Sequence, residues 1–416
     1  VEDKEKLFVI GGGAAGYFTA ISAAEINSSA KIHILEAGKK ILRKVKISGG
    51  GRCNLTHHCF DPTELSLRYP RGPRELRGAF HTWQPRDTIE WFEKRGVKTK
   101  AEDDGRIFPK TNHSQTIIDC LTDTAHKAGI QTFREFRIQK IEKVHHKWKL
   151  YLAGGKALFA DQVCLALGSL QSSGLEQSLG ELGYKIHPSI PSLFAFNLKQ
   201  HPLQELAGVS VQNVSVLTHP KGKKQNGPIL ITHRGLSGPA VLRASAWDAE
   251  NLATLDYHFE TKINWLGQMK PEDLNHHLNN FRKKNPTQRT VQNPFPELPK
   301  RLWNKLLNII GISPGTTWAH LSKPHTRDLI QNLTSFRVKV DGKTTNKDEF
   351  VTCGGICLKQ VDFKTMESKL HKGLFFAGEC LNLDGITGGF NFQAAWTTGR
   401  IAGQSMGKQS QTKTSS

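Results

Sequence analysis

The sequence predicts an α/β protein in which both chain ends build one domain and a β-rich, then helical, domain is inserted between them. Three observations carry this. A glycine turn, Gly11 to Gly16, sits between the apolar run Phe8-Val9-Ile10 and a helix-compatible stretch from Ala14 to Asn27. At the far end, Leu374-Phe375-Phe376 closes on Gly378-Glu379 and is followed by Gly388-Gly389 and a second helical stretch. Between them, from about Pro188, the pattern changes to short β-rich runs with no glycine fingerprint. The expected bounds are 1–191 and 346–408 for the divided domain, 192–345 for the insert and 409–416 for a disordered tail.

The N-terminal segment reads as strand, glycine turn, helix and second strand, the last being Lys31 to Leu35 closed by Glu36. That order is the dinucleotide-binding βαβ unit. Gly11 allows the sharp turn, Gly13 leaves room for a pyrophosphate, and Gly16 lets the helix lie close on the strands. The amides of Ala14 and Ala15 then open a helix N-terminus toward phosphate. Glu36, with Ala37 behind it, is placed to accept from ribose hydroxyls and to repel a 2′-phosphate. An ADP-ribose moiety, as in NAD or FAD, is favoured over NADP.

Downstream, Ser48-Gly49-Gly50-Gly51-Arg52-Cys53-Asn54 places three glycines in a row. Such a run has a large backbone entropy cost unless a ligand approaches it closely. Helices are expected at Asp87 to Arg95 and Ser114 to Ala128, and strands at Gln131 to Val144, Trp148 to Leu152 and Ala157 to Leu167. The last run returns through Leu167-Gly168. In the insert, a hairpin is expected across Lys221 to Gly227, a helix after a turn capped by Ser237, and helices from Pro271, Lys300 and Thr326. Phe336 to Val340 and Phe350 to Thr352 read as strands, and the last helix as Phe392 to Met406.

The C-terminal motif separates FAD from NAD. FAD is long, and its flavin end lies beyond the first βαβ unit, so a remote second motif serves it. Gly378 lets a strand end meet the diphosphate or ribityl chain. The Gly388-Gly389 turn, with Phe390 and Asn391, presents a helix N-terminus whose positive potential suits the N1 and C2 carbonyl edge of a reduced flavin.

The chain resembles the YhiN or BaiN/RdsA family of FAD-dependent oxidoreductases, which includes aminoacetone-oxidase-like flavoproteins. The resemblance rests on Val9 to Gly16, Lys46 to Asn54, Thr232 to Val241, Thr352 to Ile356 and Leu374 to Gly403. It implies a Rossmann-like FAD domain made from both chain ends, with Gly11, Gly13, Gly16, Gly49, Gly50, Gly51, Gly378, Gly388 and Gly389 contacting or shaping the site. The return from Leu165 to Gly174 departs from the family pattern. The full expected cofactor-binding set adds Ala14, Ala15, Glu36, Ala37, Ser48, Arg52, Cys53, Asn54, Gly168, Glu379, Phe390 and Asn391. Arg52 is read as stabilising negative charge near the flavin and Asn54 as hydrogen-bonding it. Cys53 is read as a small residue packed under the cofactor rather than a redox thiol, because no CxxC partner exists. No general acid or base is assigned.

The reaction expected is flavin oxidoreduction of an unidentified small molecule. No second GxGxxG follows a strand, so NAD(P)H would serve only as a transiently docked reductant. The chain has 57 Lys and Arg against 37 Asp and Glu, a net charge of +20. That charge would attract a polyanion, so a flavin-containing RNA-binding or RNA-modifying protein is the alternative reading. It ranks second because no aromatic stacking platform accompanies the charge. Seven cysteines without CxxC, and histidines without metal-ligand spacing, point to free thiols, no metal and a reducing cytoplasm. No apolar segment is long enough for a membrane span, and the first strand starts too early for a secretory signal to precede it.

Overall fold

The computed structural model describes residues 5–344 and 351–414. The chain divides into two compact units, one of residues 1–190 with 347–416 and one of residues 191–346.

In the first unit the apolar runs become a seven-stranded sheet. Its order is Val361–Asp362, Glu367–Ser368, Leu374–Phe376, Gln162–Leu165, β1 (Lys6–Ile10), β2 (Lys31–Leu35) and Gln131–Phe133. The five strands from Leu374–Phe376 to Gln131–Phe133 run parallel. Val9, Ile34, Leu165 and Phe376 are fully or almost fully buried, as the near-continuous apolar character of parallel strands requires. Leu374–Phe376, from the far end of the chain, is thus two strands from β1, so both chain ends share one sheet.

Helix α1 (Ala14–Ile26) packs against the C-terminal helix, Phe390–Thr414, through facing stripes of small residues. A Cβ on Gly399 would stand 2.8 Å from the Ala15 carbonyl oxygen, one on Gly403 2.2 Å from that of Thr19, and one on Gly407 2.8 Å from that of Ala23. Backbones this close need glycine at each four-residue step. Phe18 completes the contact at 5.3 Å from the Trp396 ring and 4.8 Å from Trp91.

Three expectations are corrected here. Gln131 to Val144 is not one strand: it breaks after Phe133, and Ile138–Val144 joins Lys147–Leu152 and Ala157–Ala160 in a separate three-stranded sheet. Likewise Ala157 to Leu167 divides, with Gln162–Leu165 going to the main sheet. The tail is helical to Thr414 rather than disordered from 409, with Ser410 buried and accepting from Asn27 Nδ2 at 3.1 Å. Residues 415–416 lie outside the described residues.

The second unit has its own seven-stranded sheet, in the order Phe336–Asp341, His258–Asn264, Ser210–His219, Gln225–Thr232, Gly235–Ser237, Ala195–Asn197 and Lys343–Thr344. Neighbours along it pair antiparallel, and Ser210–His219 with Gln225–Thr232 forms the expected hairpin. Helices Pro271–Lys284, Lys300–Ile309 and Lys323–Thr334 contribute Leu274, Leu306 and Leu329 to its core. The helix Pro239–Trp247 is entered through Gly238 at φ 98, with no side-chain cap, so Ser237 is not its cap. Phe350 lies outside the described residues, and the strand there is Val351–Ile356.

Candidate functional site

The three glycines of the turn in the first unit differ in what surrounds them. Gly11, at φ +116, would drive a Cβ to 2.2 Å from the Ala166 carbonyl oxygen, and one on Gly16 would lie 1.9 Å from the Gly11 oxygen. Both are therefore packing glycines. A Cβ on Gly13 would meet nothing within 4 Å. Gly13 is the N-cap of α1, so the first amides of that helix, those of Ala14 and Ala15, open beside this free space. It is a cradle that a side chain would fill and a pyrophosphate suits.

Glu36 stands at the end of β2 beside that turn. Its Oε2 accepts from Gly12 N at 2.8 Å and its Oε1 from Gly38 N at 2.7 Å, across Ala37. Both oxygens are held by backbone donors, yet each keeps acceptor capacity for a hydroxyl. The Gly12 carbonyl in turn accepts from Leu42 N at 2.8 Å, tying the turn to α2 (Arg43–Gly51).

The triple glycine closes α2 in left-handed conformation: Gly49, Gly50 and Gly51 have φ of 59, 68 and 82. Ser48 already leaves the helix at ψ 149. A Cβ on Gly49 would press on Phe108 at 3.0 Å, whereas Gly50 and Gly51 face open space. Consecutive left-handed glycines leave backbone amides exposed to a close-lying ligand.

Two side chains expected to face the cofactor are otherwise engaged. Arg52 pairs with Glu102 at 2.6 Å and lies 4.0 Å over the Phe108 ring, so its charge is partnered within the protein. The Asn54 amide donates to the Thr56 carbonyl at 3.1 Å and accepts from Gly389 N at 2.9 Å. It joins the triple-glycine segment to the start of the C-terminal helix. Cys53 is fully buried at φ 62, and burial pushes its thiol up to about 12. A thiol so placed is inert. Brief alkylation of the native protein at neutral pH, mapped by mass spectrometry, should leave Cys53, Cys164 and Cys380 unmodified while the partly exposed Cys59 and Cys357 are labelled.

At the C-terminal motif, Gly378 packs its α-carbon toward Ala15 and donates its N–H to Thr398 Oγ1 at 2.9 Å. Glu379 is held from two sides: Oε1 accepts from Thr352 N at 3.0 Å and Thr352 Oγ1 at 3.1 Å, and Oε2 pairs with Lys44 of α2. Gly168, at φ 76, lies near that same carboxylate. The turn before the helix is closed on itself, because Asn391 Oδ1 accepts from Gly385 N and its Nδ2 donates to Gly385 O, both at 2.8 Å. A Cβ on Gly389 would strike the Thr56 carbonyl oxygen at 2.5 Å, so the helix start is pressed against residues 54–56. Phe390 is buried and stacks on His57 at 4.6 Å. The His57 Nε2 donates to the Asp104 carbonyl at 3.1 Å, and burial pushes the imidazole below its usual pKa.

Several residues outside the expected set also build the site. Lys44 and Thr352 secure Glu379, and Gln393, fully buried, accepts from Thr56 at 2.6 Å and Thr88 at 3.1 Å. The glycine repeat Gly399, Gly403 and Gly407 was legible as a four-residue spacing, the one signal that would have extended the last helix beyond Met406. Among the described residues no group of three His, Cys, Asp or Glu is placed to hold a metal, and no helix is long and apolar enough to cross a membrane.

Comparison with known proteins bears on this geometry. The family model described as HI0933-like protein Rossmann domain matches residues 5–405. The chain is 32% identical to the ribosomal RNA dihydrouridine synthase of Escherichia coli (strain K12), over 96% of this chain and 97% of that protein. It is 28% identical to the 3-dehydro-bile acid delta(4,6)-reductase of Clostridium scindens, over 96% and 98% respectively. Among solved structures, a 3-ketosteroid delta1-dehydrogenase from Sterolibacterium denitrificans aligns with TM-score 0.52 at 10% identity, covering 98% of this chain and 100% of that one. A flavocytochrome c3 fumarate reductase aligns with TM-score 0.51 at 15% identity, over 98% and 79%. At these identities the two structures share the fold and nothing finer.

Proposed function

The chain belongs to the HI0933-like Rossmann-domain family, and from that premise we propose that it is an FAD-dependent oxidoreductase that saturates a carbon–carbon double bond conjugated to a carbonyl. The observation that carries the cofactor is the open cradle at Gly13, flanked by the helix amides of Ala14 and Ala15 and by the Glu36 carboxylate. A diphosphate and a ribose fit that pairing of donors and acceptor. The left-handed amides of Gly50 and Gly51 and the helix start at Gly388, Gly389 and Phe390 would hold the ribityl and flavin parts, and FMN would leave the ADP half at Gly13 and Glu36 empty. The reaction comes from the relatives: the names of both the reductase and the synthase describe adding hydrogen across a double bond.

Once reduced by an external donor, bound FAD would supply a hydride to one carbon of the double bond, and a proton from solvent would complete the addition. The chain's own residues bind and orient. Glu36 would select a free 2′-hydroxyl by charge, the N-terminus of the helix beginning at Phe390 would favour electron density at the flavin's carbonyl edge, and Arg52 and Asn54 brace the loops on either side.

For the substrate, the charge favours RNA over a steroid-like molecule, and the name of the synthase points to uridine within it. The excess is +20 overall, and residues 191–346 alone hold twenty Lys and Arg against ten Asp and Glu. Such a surface binds phosphate backbones with an affinity that falls as salt rises. The test combines the protein with unmodified ribosomal RNA and, separately, with a 3-oxo-Δ4 steroid, under anaerobic conditions after reduction of the flavin. Dihydrouridine formation that weakens with salt supports the RNA reading. Turnover of the steroid alone, with no RNA retained at low salt, would contradict it while keeping the double-bond reductase.

The reductant follows from a missing motif. With a single GxGxxG-type turn, at Gly11 to Gly16, NADH and NADPH have no dinucleotide site of their own while FAD holds the one present. Stopped-flow mixing should therefore show flavin reduction that stays nearly linear in nucleotide concentration. Saturation at micromolar NADH or NADPH would show a dedicated site.

A further inference from the structure

We infer that Arg71 is a positioning residue, which acts through Asp384 to fix the turn that presents the helix start at Gly388 and Gly389 to the flavin. This rests on the FAD reading above. Asp384 opens the C-terminal turn and is fully buried, and only 11% of the Arg71 side chain is exposed. The two form a bidentate pair, Nε to Oδ1 and Nη2 to Oδ2, the planar fork-to-carboxylate match that fixes both angle and distance. Their backbones also form an antiparallel bridge.

The pair is the centre of a wider seam between segments 68–72 and 383–390. Ile386 N donates to the Arg68 carbonyl at 2.9 Å. Tyr69, fully buried, donates its hydroxyl to the Phe390 carbonyl at 2.7 Å. Gly72, at φ +78, lets the chain seat against Leu383, where a Cβ would come within 3.1 Å. Four successive attachments thus run along one loop, and that loop ends at the helix amides on which the flavin's carbonyl edge would rest.

A buried ion pair is a poor device for stability alone, since apolar side chains of similar volume often replace one without loss. What such a pair supplies is a register. Without the fork, Asp384 to Gly389 keep their covalent path and lose the angle at which they meet the helix start. Amides displaced from the flavin's carbonyl edge stabilise its reduced anionic form less, so the bound flavin becomes harder to reduce.

The test uses the full chain reconstituted with FAD. In the double variant Arg71→Met/Asp384→Leu neither charge is left stranded. We expect it to fold and bind FAD, with a midpoint potential more negative than wild type in anaerobic dye equilibration and an altered visible circular dichroism of the flavin. An unchanged potential and dichroism would overturn the inference. Should the double variant not fold, Arg71→Lys keeps the charge and loses the fork, and the same two readouts decide in the same directions. Wild-type protein that takes up no FAD would instead overturn the cofactor reading on which the inference stands.

Discussion

Replacing Gly13 by Val is expected to give a folded protein that no longer retains flavin. The position combines two properties that rarely coincide in a glycine turn. Its backbone, at φ −93 and ψ −169, is one that any residue adopts. A Cβ there meets nothing within 4 Å. The unliganded fold has therefore no reason to object, while the branched methyls of valine would occupy the volume assigned to the pyrophosphate. Loss of that contact should weaken FAD affinity at least about tenfold, the equivalent of about 1.4 kcal/mol in binding. Thermal unfolding of the apoprotein, compared with the absorbance ratio after reconstitution, separates the two effects. Full occupancy in Gly13→Val would show that this turn does not hold phosphate. Gly11→Ala and Gly16→Ala make useful contrasts, because each would drive a methyl into a backbone oxygen and should damage the fold itself.

The second large effect is expected at Gly403→Leu. A Cβ at this position already lies 2.2 Å from the Thr19 carbonyl oxygen, and a backbone atom inside a helix cannot swing aside as a flexible side chain can. The two helices must separate, opening the contact that Gly399 and Gly407 share. Overpacking of a core typically costs 1–3 kcal/mol, and a backbone collision belongs at about 3 kcal/mol or above. The measurement is chemical denaturation of the apoprotein, where the midpoint should fall at unchanged slope. A midpoint equal to wild type would mean that α1 and the C-terminal helix do not cross this closely.

These two glycines illustrate what the sequence revealed and what it concealed. Gly13 was legible because the dinucleotide turn is local: strand, turn and helix are contiguous in the sequence, even though the backbone that Gly11 packs on, at Ala166, comes from far along the chain. The strand at Leu374 was legible for the same reason, an unbroken apolar run. Gly403 has a visible four-residue spacing but no local role, because its partner Thr19 lies at the other end of the chain. The tail hides its structure on the same grounds. Its polar composition suggested disorder, yet Ser410 is buried against Asn27 and the helix continues to Thr414.

At the site, residue types suggested chemistry that tertiary partners redirect. An arginine next to a triple glycine looks like an anion ligand, but Glu102, fifty positions away, takes its charge. Asn54 looks like a cofactor contact until Gly389 arrives from the far end of the chain to use its oxygen. Arg71 and Asp384, 313 positions apart, had no local signal at all. Strand breaks are hard to read at Phe133 and Ala160, where only two polar residues, Arg134-Glu135 and Asp161-Gln162, interrupt β-compatible stretches that go to different sheets.

The claim from which the rest follows is that Gly11 to Gly16 and Glu36 hold the ADP half of FAD while the C-terminal turn holds its flavin end. The most direct measurement is to reconstitute the purified chain with a mixture of FAD and FMN, remove free flavin, release the bound cofactor by heat and identify it by chromatography. The account predicts FAD alone, at near-stoichiometric amounts. Recovery of FMN, or of no flavin from protein shown to be folded, would contradict it.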